Sequence, residues 1–330
     1  MHAQEFKNLI TDVPGILVGN KESKKLTSGV TVILPDQPSI ASVDIRGGGS
    51  GTRDTELLGL DGTVEKVDAI VLSGGSAFGL DAAGGVMAYL HNINRGIPIG
   101  SVRVPIVPQA ILFDLENHSA KSWQTRSPYW KLGFDAASSP SKTFSLGNVG
   151  AGLGAKAGSI KGGLGSSSFF IKELGLTVGA LVAVNSAGNV LYPKTRAFYA
   201  WDTELNNEFG GVHPPKDINK EMVQLPKNTS FGQNTTLAVI GTDANLTKAQ
   251  ARRLAIIAQD GLGRAIRPAH TPLDGDTVFT IATGRQNLED PIRDLSLLGG
   301  YASNSLSRAI ARAVYEARSI NNIPAYSGLK

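Results

Sequence analysis

The chain of 330 residues has no cysteine. That excludes disulfides, thiolate catalysis and cysteine–zinc centres. Aromatic residues are scarce, at 6%, and charged residues make up 18%. No apolar run reaches the roughly 18 residues of a membrane-spanning helix. The stretch 1–15 lacks an apolar core segment, so no signal peptide is expected and the default is a soluble cytoplasmic protein. Neither a phosphate-cradling G-x-x-x-x-G-K-[ST] loop nor an H-E-x-x-H zinc motif occurs. The five histidines (2, 91, 118, 213, 270) are scattered, which gives little support to a metal site or a histidine-based triad. Lys plus Arg exceed Asp plus Glu by 32 to 28, a formal charge of +4 with both signs dispersed. The pI of 9.2 is basic, yet no basic run or basic–aromatic patch points to nucleic acid.

Glycine is what the chain has in excess: 39 residues, against a usual share of about 7%. The glycines cluster without a period, so the chain is not fibrous. With 41% hydrophobic residues the composition is globular. β-rich runs at 30–34, 40–45, 68–72, 176–185, 235–240 and 277–283 predict strands. Helices are expected at about 80–91, from Thr247 through Leu262, and at about 303–318. The helix after Thr247 has the capping-box pattern Thr247-Lys-Ala-Gln250. Trp123, Tyr129 and Trp130 read as a packed surface loop or the wall of a pocket. Residues 202–233, polar and proline-punctuated, read as a surface linker. The strands on either side of it look like parts of one sheet system, which argues for a single domain.

Two glycine-rich stretches invite functional readings. Ser-Gly-Gly-Ser-Ala-Phe-Gly at 73–79 is a strand–turn–helix, but the nucleophile elbow G-x-S-x-G fails because Phe78 stands where glycine is needed. Ser76 therefore remains a minor candidate beside simple close packing. Gly-Asn-Val-Gly-Ala-Gly at 147–152 lacks the βαβ context of a dinucleotide loop. The loop Arg-Gly-Gly-Gly-Ser-Gly-Thr-Arg at 46–53 fits either a flexible hairpin or backbone lining a site.

The stretch that organises the rest is Asn-Thr-Thr at 234–236, where the polar segment meets a strand. Taken alone it is an ordinary loop end. If the Asn234–Thr235 bond is cut, Thr235 carries a hydroxyl nucleophile and a free amine able to act as its base. Asp274 and Asp276 enter a later strand at alternate positions and so share a face. Two such carboxylates could hold a threonine ammonium and orient its hydroxyl. The ordinary reading of Asp-Gly-Asp is a turn.

The stretches 73–83, 147–152 and 234–236, with Asn-Leu-Ile-Thr-Asp-Val-Pro-Gly-Ile at 8–16, Lys-Gly-Gly-Leu-Gly at 161–165, Val-Ala-Val-Asn at 182–185 and His-Thr-Pro-Leu-Asp-Gly-Asp at 270–276, run in order along nearly the whole chain. Together they resemble the DmpA-type family of N-terminal-nucleophile peptidases. That family includes L-aminopeptidase/D-amino-acid esterases, β-peptidyl aminopeptidases and nylon-oligomer (6-aminohexanoate-oligomer) endohydrolases. Thr235 and the Asp274-x-Asp276 pair are similar to the nylon-oligomer branch, as is Val-Pro-Ile-Val-Pro at 104–108. The aminopeptidase branch usually has a serine nucleophile and a Ser-x-Glu pair. The resemblance implies an α/β fold, a four-layer α/β/β/α sandwich related to that of the ornithine acetyltransferases. It further implies self-cleavage into chains 1–234 and 235–330, an acyl-enzyme on Thr235, and Asn185 as oxyanion donor. Lys161 would assist the nucleophile or the carbonyl, with Lys156 the alternative. A linear or oligomeric amide substrate, no cofactor, and a homo-oligomer, a tetramer in the family, complete the expectation. Aminopeptidase action on D- or β-amino-acid peptides, acyl transfer, and an uncleaved inactive scaffold stay open as alternatives.

Overall fold

The computed structural model describes residues 6–117, 122–123, 125–217, 225 and 234–329. In chain order the strands are β1 (Ile16–Ser23), β2 (Ser28–Pro35), β3 (Ser39–Ile45), β4 (Gly51–Arg53), β5 (Lys66–Val67) and β6 (Ile70–Ser73). Helix α1 (Asp81–Asn92) precedes the ribbon β7 (Ile97–Ile99) and β8 (Val102–Val104), then β9 (Gln109–Ile111) and α2 (Tyr129–Ser138). A second ribbon, β10 (Lys156–Ala157) and β11 (Ile160–Lys161), leads into β12 (Gly163–Ile171) and β13 (Leu176–Asn185). β14 (Thr235–Ala244), α3 (Lys248–Ala265), β15 (Thr277–Gln286) and α4 (Pro291–Tyr315) follow. One sheet has the order β1-β2-β6-β9-β4 and the other β12-β13-β14-β15-β3-β5; both mix parallel and antiparallel pairs.

β13 and β14 are buried at all ten positions, which explains why they read as continuous apolar runs. A strand covered on both faces has no solvent side to demand polar residues. The two-residue period still sorts the side chains. Val182, Val184, Ala238 and Ile240 pack with Leu254, Leu306 and Ile310 of α3 and α4. Leu181, Ala183, Leu237 and Val239 pack with Ile16, Ile33 and Leu72 of the other sheet. A third cluster joins Val30, Val32 and Val71 to Val86, Leu90, Tyr129 and Ala136 of α1 and α2. Gly165 lets α4 lie close on β12: a Cβ there would fall 2.0 Å from the Ala309 carbonyl oxygen.

The crossover through α3 places the functional loops. β14 and β15 are parallel, with Leu237 beside Thr277, so their leading residues emerge together. β13 is antiparallel to β14, and its last residue, Asn185, lies opposite Thr235. α3 begins as the sequence suggests. The Thr247 hydroxyl accepts from Gln250 N at 3.2 Å, and Gln250 Oε1 accepts from Thr247 N at 2.8 Å.

Three expectations change. The aromatic stretch is helical from Tyr129, and Tyr129 is fully buried. The closing helix starts twelve residues earlier than its apolar stripe (303 − 291), capped by Asp290 and with Pro291 in its first turn. Residues 202–217 are more than a surface linker, since Phe209 is buried and Glu208 pairs with buried Arg308. The remainder of that segment, apart from 225, lies outside the described residues. Among the described residues no helix is long and apolar enough to cross a membrane.

Candidate active site

Thr235 opens β14 and is only 3% exposed. Asn234 precedes it directly, and the peptide bond between them is intact here. The Thr235 hydroxyl donates to the Asn234 carbonyl oxygen at 2.5 Å. The same oxygen accepts from Gly275 N at 2.9 Å. A carbonyl carrying two donors is polarised toward attack, the arrangement expected of an oxyanion site. Only glycine fits at 275, because a Cβ there would lie 2.6 Å from Thr235 Oγ1 and 2.8 Å from the Gly49 carbonyl oxygen. Asn234 is also buried, and among the described residues its Nδ2 has no hydrogen-bond partner. Such an orphaned amide costs about 1–3 kcal/mol.

Asp274 and Asp276 are each 1% exposed. They grip different segments. Asp276 Oδ1 accepts from Thr236 N at 2.8 Å, fixing the start of β14. Its Oδ2 accepts from His270 N at 3.0 Å and meets His270 Nδ1 at 2.9 Å. Asp274 Oδ1 accepts from Ala187 N at 3.0 Å, holding the loop after β13. Its Oδ2 accepts from Thr271 N at 3.1 Å and from the Thr271 hydroxyl at 2.5 Å. Burial pushes the Asp274 carboxyl up, the neighbouring Asp276 charge adds to this, and the Thr271 and Ala187 donors oppose it. The glycine loop at 46–53 lies against this turn. Gly49 N donates to the Asp274 carbonyl at 2.8 Å, and Arg46 N to that of Asp276 at 3.0 Å. Of its two readings, backbone lining a site fits.

Asn185 lies beside Thr235 with its amide already oriented. Nδ2 donates to the Phe113 carbonyl at 2.9 Å, and Oδ1 accepts from Lys156 N at 2.9 Å. Lys161 is fully buried, and its Nζ donates to the carbonyls of Gly152, Ala155 and Gly162, each at 2.9 Å. An ammonium has three N–H bonds, and all three are thus spent on backbone. Burial pulls its pKa down to about 7, opposed by the charge of Asp114. Lys156, its pairing partner across the ribbon, is exposed and joined to Asn185 through its own backbone. The structure therefore brings Thr235, Asn234, Asp274, Asp276 and Asn185 together, while the Lys161 ammonium, on the ribbon next to Asn185, is bonded to three backbone carbonyls. His270, Thr271, Ala187 and Gly275 are contributors that residue-type reasoning did not single out, although three of them lie in the 270–276 stretch. A cavity of about 530 Å³ lined by Thr11, Gly15, Asp36 and Arg285 lies at the other end of β15. Eight residues along the strand (285 − 277), or about 26 Å, separate it from this site.

Comparison with known proteins bears on the family and the fold. The family model for peptidase family S58 matches residues 8–325. An uncharacterized aminopeptidase of Mycobacterium tuberculosis is 42% identical, covering 97% of each chain. A 6-aminohexanoate-oligomer endohydrolase of Kocuria sp. is 28% identical over 84% of this chain and 75% of its own. Among solved structures, a Burkholderia sp. β-aminopeptidase superposes with a TM-score of 0.67 at 23% identity, covering 94% of this chain and 87% of its own. The L-aminopeptidase D-Ala-esterase/amidase of Ochrobactrum anthropi, described as a variant of the Ntn-hydrolase fold, gives 0.65 at 20% identity, covering 94% and 86%. These establish a single-domain α/β fold with Ntn-hydrolase-like neighbours. The chain belongs to peptidase family S58, as its motifs suggested.

Proposed function

We propose that the chain is a precursor that cuts itself between Asn234 and Thr235 and then hydrolyses amides through Thr235. The observation that carries the reading is the Asn234 carbonyl, which sits between the Thr235 hydroxyl and the Gly275 N–H. In the first step Thr235 Oγ1 bonds to the Asn234 carbonyl carbon and loses its proton. The Asn234–Thr235 C–N bond breaks, and the nitrogen leaves as the protonated Thr235 amine. Water then hydrolyses the ester, leaving chains 1–234 and 235–330.

In turnover the freed amine takes the hydroxyl proton as Oγ1 attacks a substrate amide. The leaving amine departs protonated, and water releases the acyl group. Asp276 holds the Thr236 amide and so the nucleophile's position; Asp274 holds the Ala187 loop. Gly275 N–H and the Asn185 amide serve the oxyanion. Lys156, exposed beside Asn185, is the better placed of the two lysines to meet substrate. The three successive cores support the α/β/β/α sandwich.

For substrate we favour linear amide oligomers of the 6-aminohexanoate kind, cut internally. A groove edged by the glycine loop makes few side-chain demands. An aminopeptidase needs a group for the substrate's ammonium, and both carboxylates of the Asp-x-Asp pair are already engaged by backbone donors that fix the surrounding loops. Aminopeptidase action is the second reading, favoured by the name of the 42% identical relative. The test compares a 6-aminohexanoate trimer with β-alanyl and D-alanyl amides, following product lengths. Release of single residues from the amino end alone would move the chain to the aminopeptidase reading.

A further inference from the structure

His270 occupies the left-handed region, with φ of 56°. A non-glycine residue there pays a strain of about 1 kcal/mol or more, though histidine and asparagine tolerate it better than most. What the strained backbone achieves is a double grip. Both the backbone N–H and the imidazole Nδ1 of His270 reach the same oxygen, Asp276 Oδ2, at 3.0 and 2.9 Å. Asp276 is buried, while the imidazole is about a fifth exposed. Its other oxygen holds Thr236 N, one residue beyond the nucleophile.

The geometry points to His270 as a positioning residue: through Asp276 it fixes the start of β14 and hence the aim of the Thr235 hydroxyl at the carbonyl it attacks. This rests on the reading of Thr235 as nucleophile. Nδ1 acts as donor, in the imidazole as in the imidazolium. Removing that donor leaves one buried carboxylate oxygen with the backbone bond alone, free to rotate away from the Thr236 amide. The effect is on rate, because substrate binding does not pass through this contact.

Two substitutions that both tolerate positive φ separate the hydrogen bond from the strain. His270→Gly removes the side chain at no backbone cost, and His270→Asn supplies an amide N–H near the Nδ1 position. His270→Gly should slow both self-cleavage and kcat by up to about 100-fold, the scale of a misplacement of about 1 Å at the reacting group, with KM little changed. His270→Asn should recover most of both. Thermal melting is followed in parallel, and His270→Ala, which also lacks the donor and is expected to slow both steps alike, replaces the glycine variant if that one fails to fold. Wild-type processing and kcat in His270→Gly would overturn the inference, as would His270→Asn being as slow as His270→Gly while melting at the wild-type temperature. Thr235→Ala is the control. If it too is cut, the nucleophile assignment itself has failed; if it stays intact while His270→Gly behaves as wild type, only the role of His270 is lost.

Discussion

Asp276 and Lys161 are both buried charges, 1% and 0% exposed, each with several hydrogen bonds of good length. They nevertheless do different things. Asp276 joins the turn before β15 to the amide after Thr235, two segments that the proposed mechanism needs in register. Lys161 ties its own ribbon to the 152–155 loop through backbone carbonyls. Burial and satisfied polarity alone therefore do not identify a working residue. What distinguishes the two is the group at the far end of the contact.

The largest effect that sharpens this contrast comes from Thr235→Ala. The variant should stay a single full-length chain and show no amide hydrolysis, checked by denaturing electrophoresis and product analysis. Next are Asp276→Asn and Asp274→Asn. Each keeps shape but converts an acceptor oxygen into a donor facing N–H groups. Both should process and turn over at least about 100-fold more slowly, on the scale of losing one preorganised contact in a water-excluded site. Wild-type rates in both would make the Asp-Gly-Asp turn merely structural.

The lysines then test the contrast from the other side. Lys161→Met strips three buried carbonyls of a donor and should cost about 2 kcal/mol of stability, visible as a lower Tm. The folded enzyme should keep its kcat. Lys156→Met should do the reverse, lowering kcat about 100-fold without shifting Tm, the lower end of what one positioned side chain contributes. If Lys161→Met instead destroys turnover at unchanged Tm, the two residues exchange roles.

The smallest effects are those of pH. Burial raises Asp274, so its protonated form adds stability below 3.8 that is lost as pH rises through the higher folded value. Its ionised form accepts the Ala187 and Thr271 donors, so the acid limb of processing should lie above the ordinary aspartate range. Asp276→Asn should move that limb to lower pH, since a like charge is removed. For Lys161, folding lowers the pKa to about 7 from 10.5. Between those values the unfolded chain holds the extra proton, so stability should rise with pH there. Lys161→Met should flatten that slope in pH-dependent denaturant melts.

Much of this was legible in the residues. The loop–strand junction at Thr235 and the alternation of the Asp-x-Asp pair made them candidates, but alone they read as a loop end and a turn; the family resemblance singled them out, and it alone pointed to Asn185. The long β13 and β14 were legible as unbroken β-rich apolar runs. The 10-residue α2 was hidden because its stripe is aromatic and its neighbourhood polar. The early turns of α4 were hidden by the pair Gly299 and Gly300, which weaken helix propensity but do not break a helix packed on a sheet. Gly275 N–H and Ala187 N act through backbone, which no residue type announces. His270 reaches Asp276 only because its φ is positive, and nothing in a histidine's identity signals that. The choice between Lys161 and Lys156 turns on which side chain finds carbonyls, a matter of loop path.

The central claim is the cut at Asn234–Thr235, and the mass and N-terminal sequence of the purified, active protein test it most directly. Two pieces are expected, of 234 and 96 residues (330 − 234), the smaller beginning at Thr235. A single uncut chain with full activity would contradict the account.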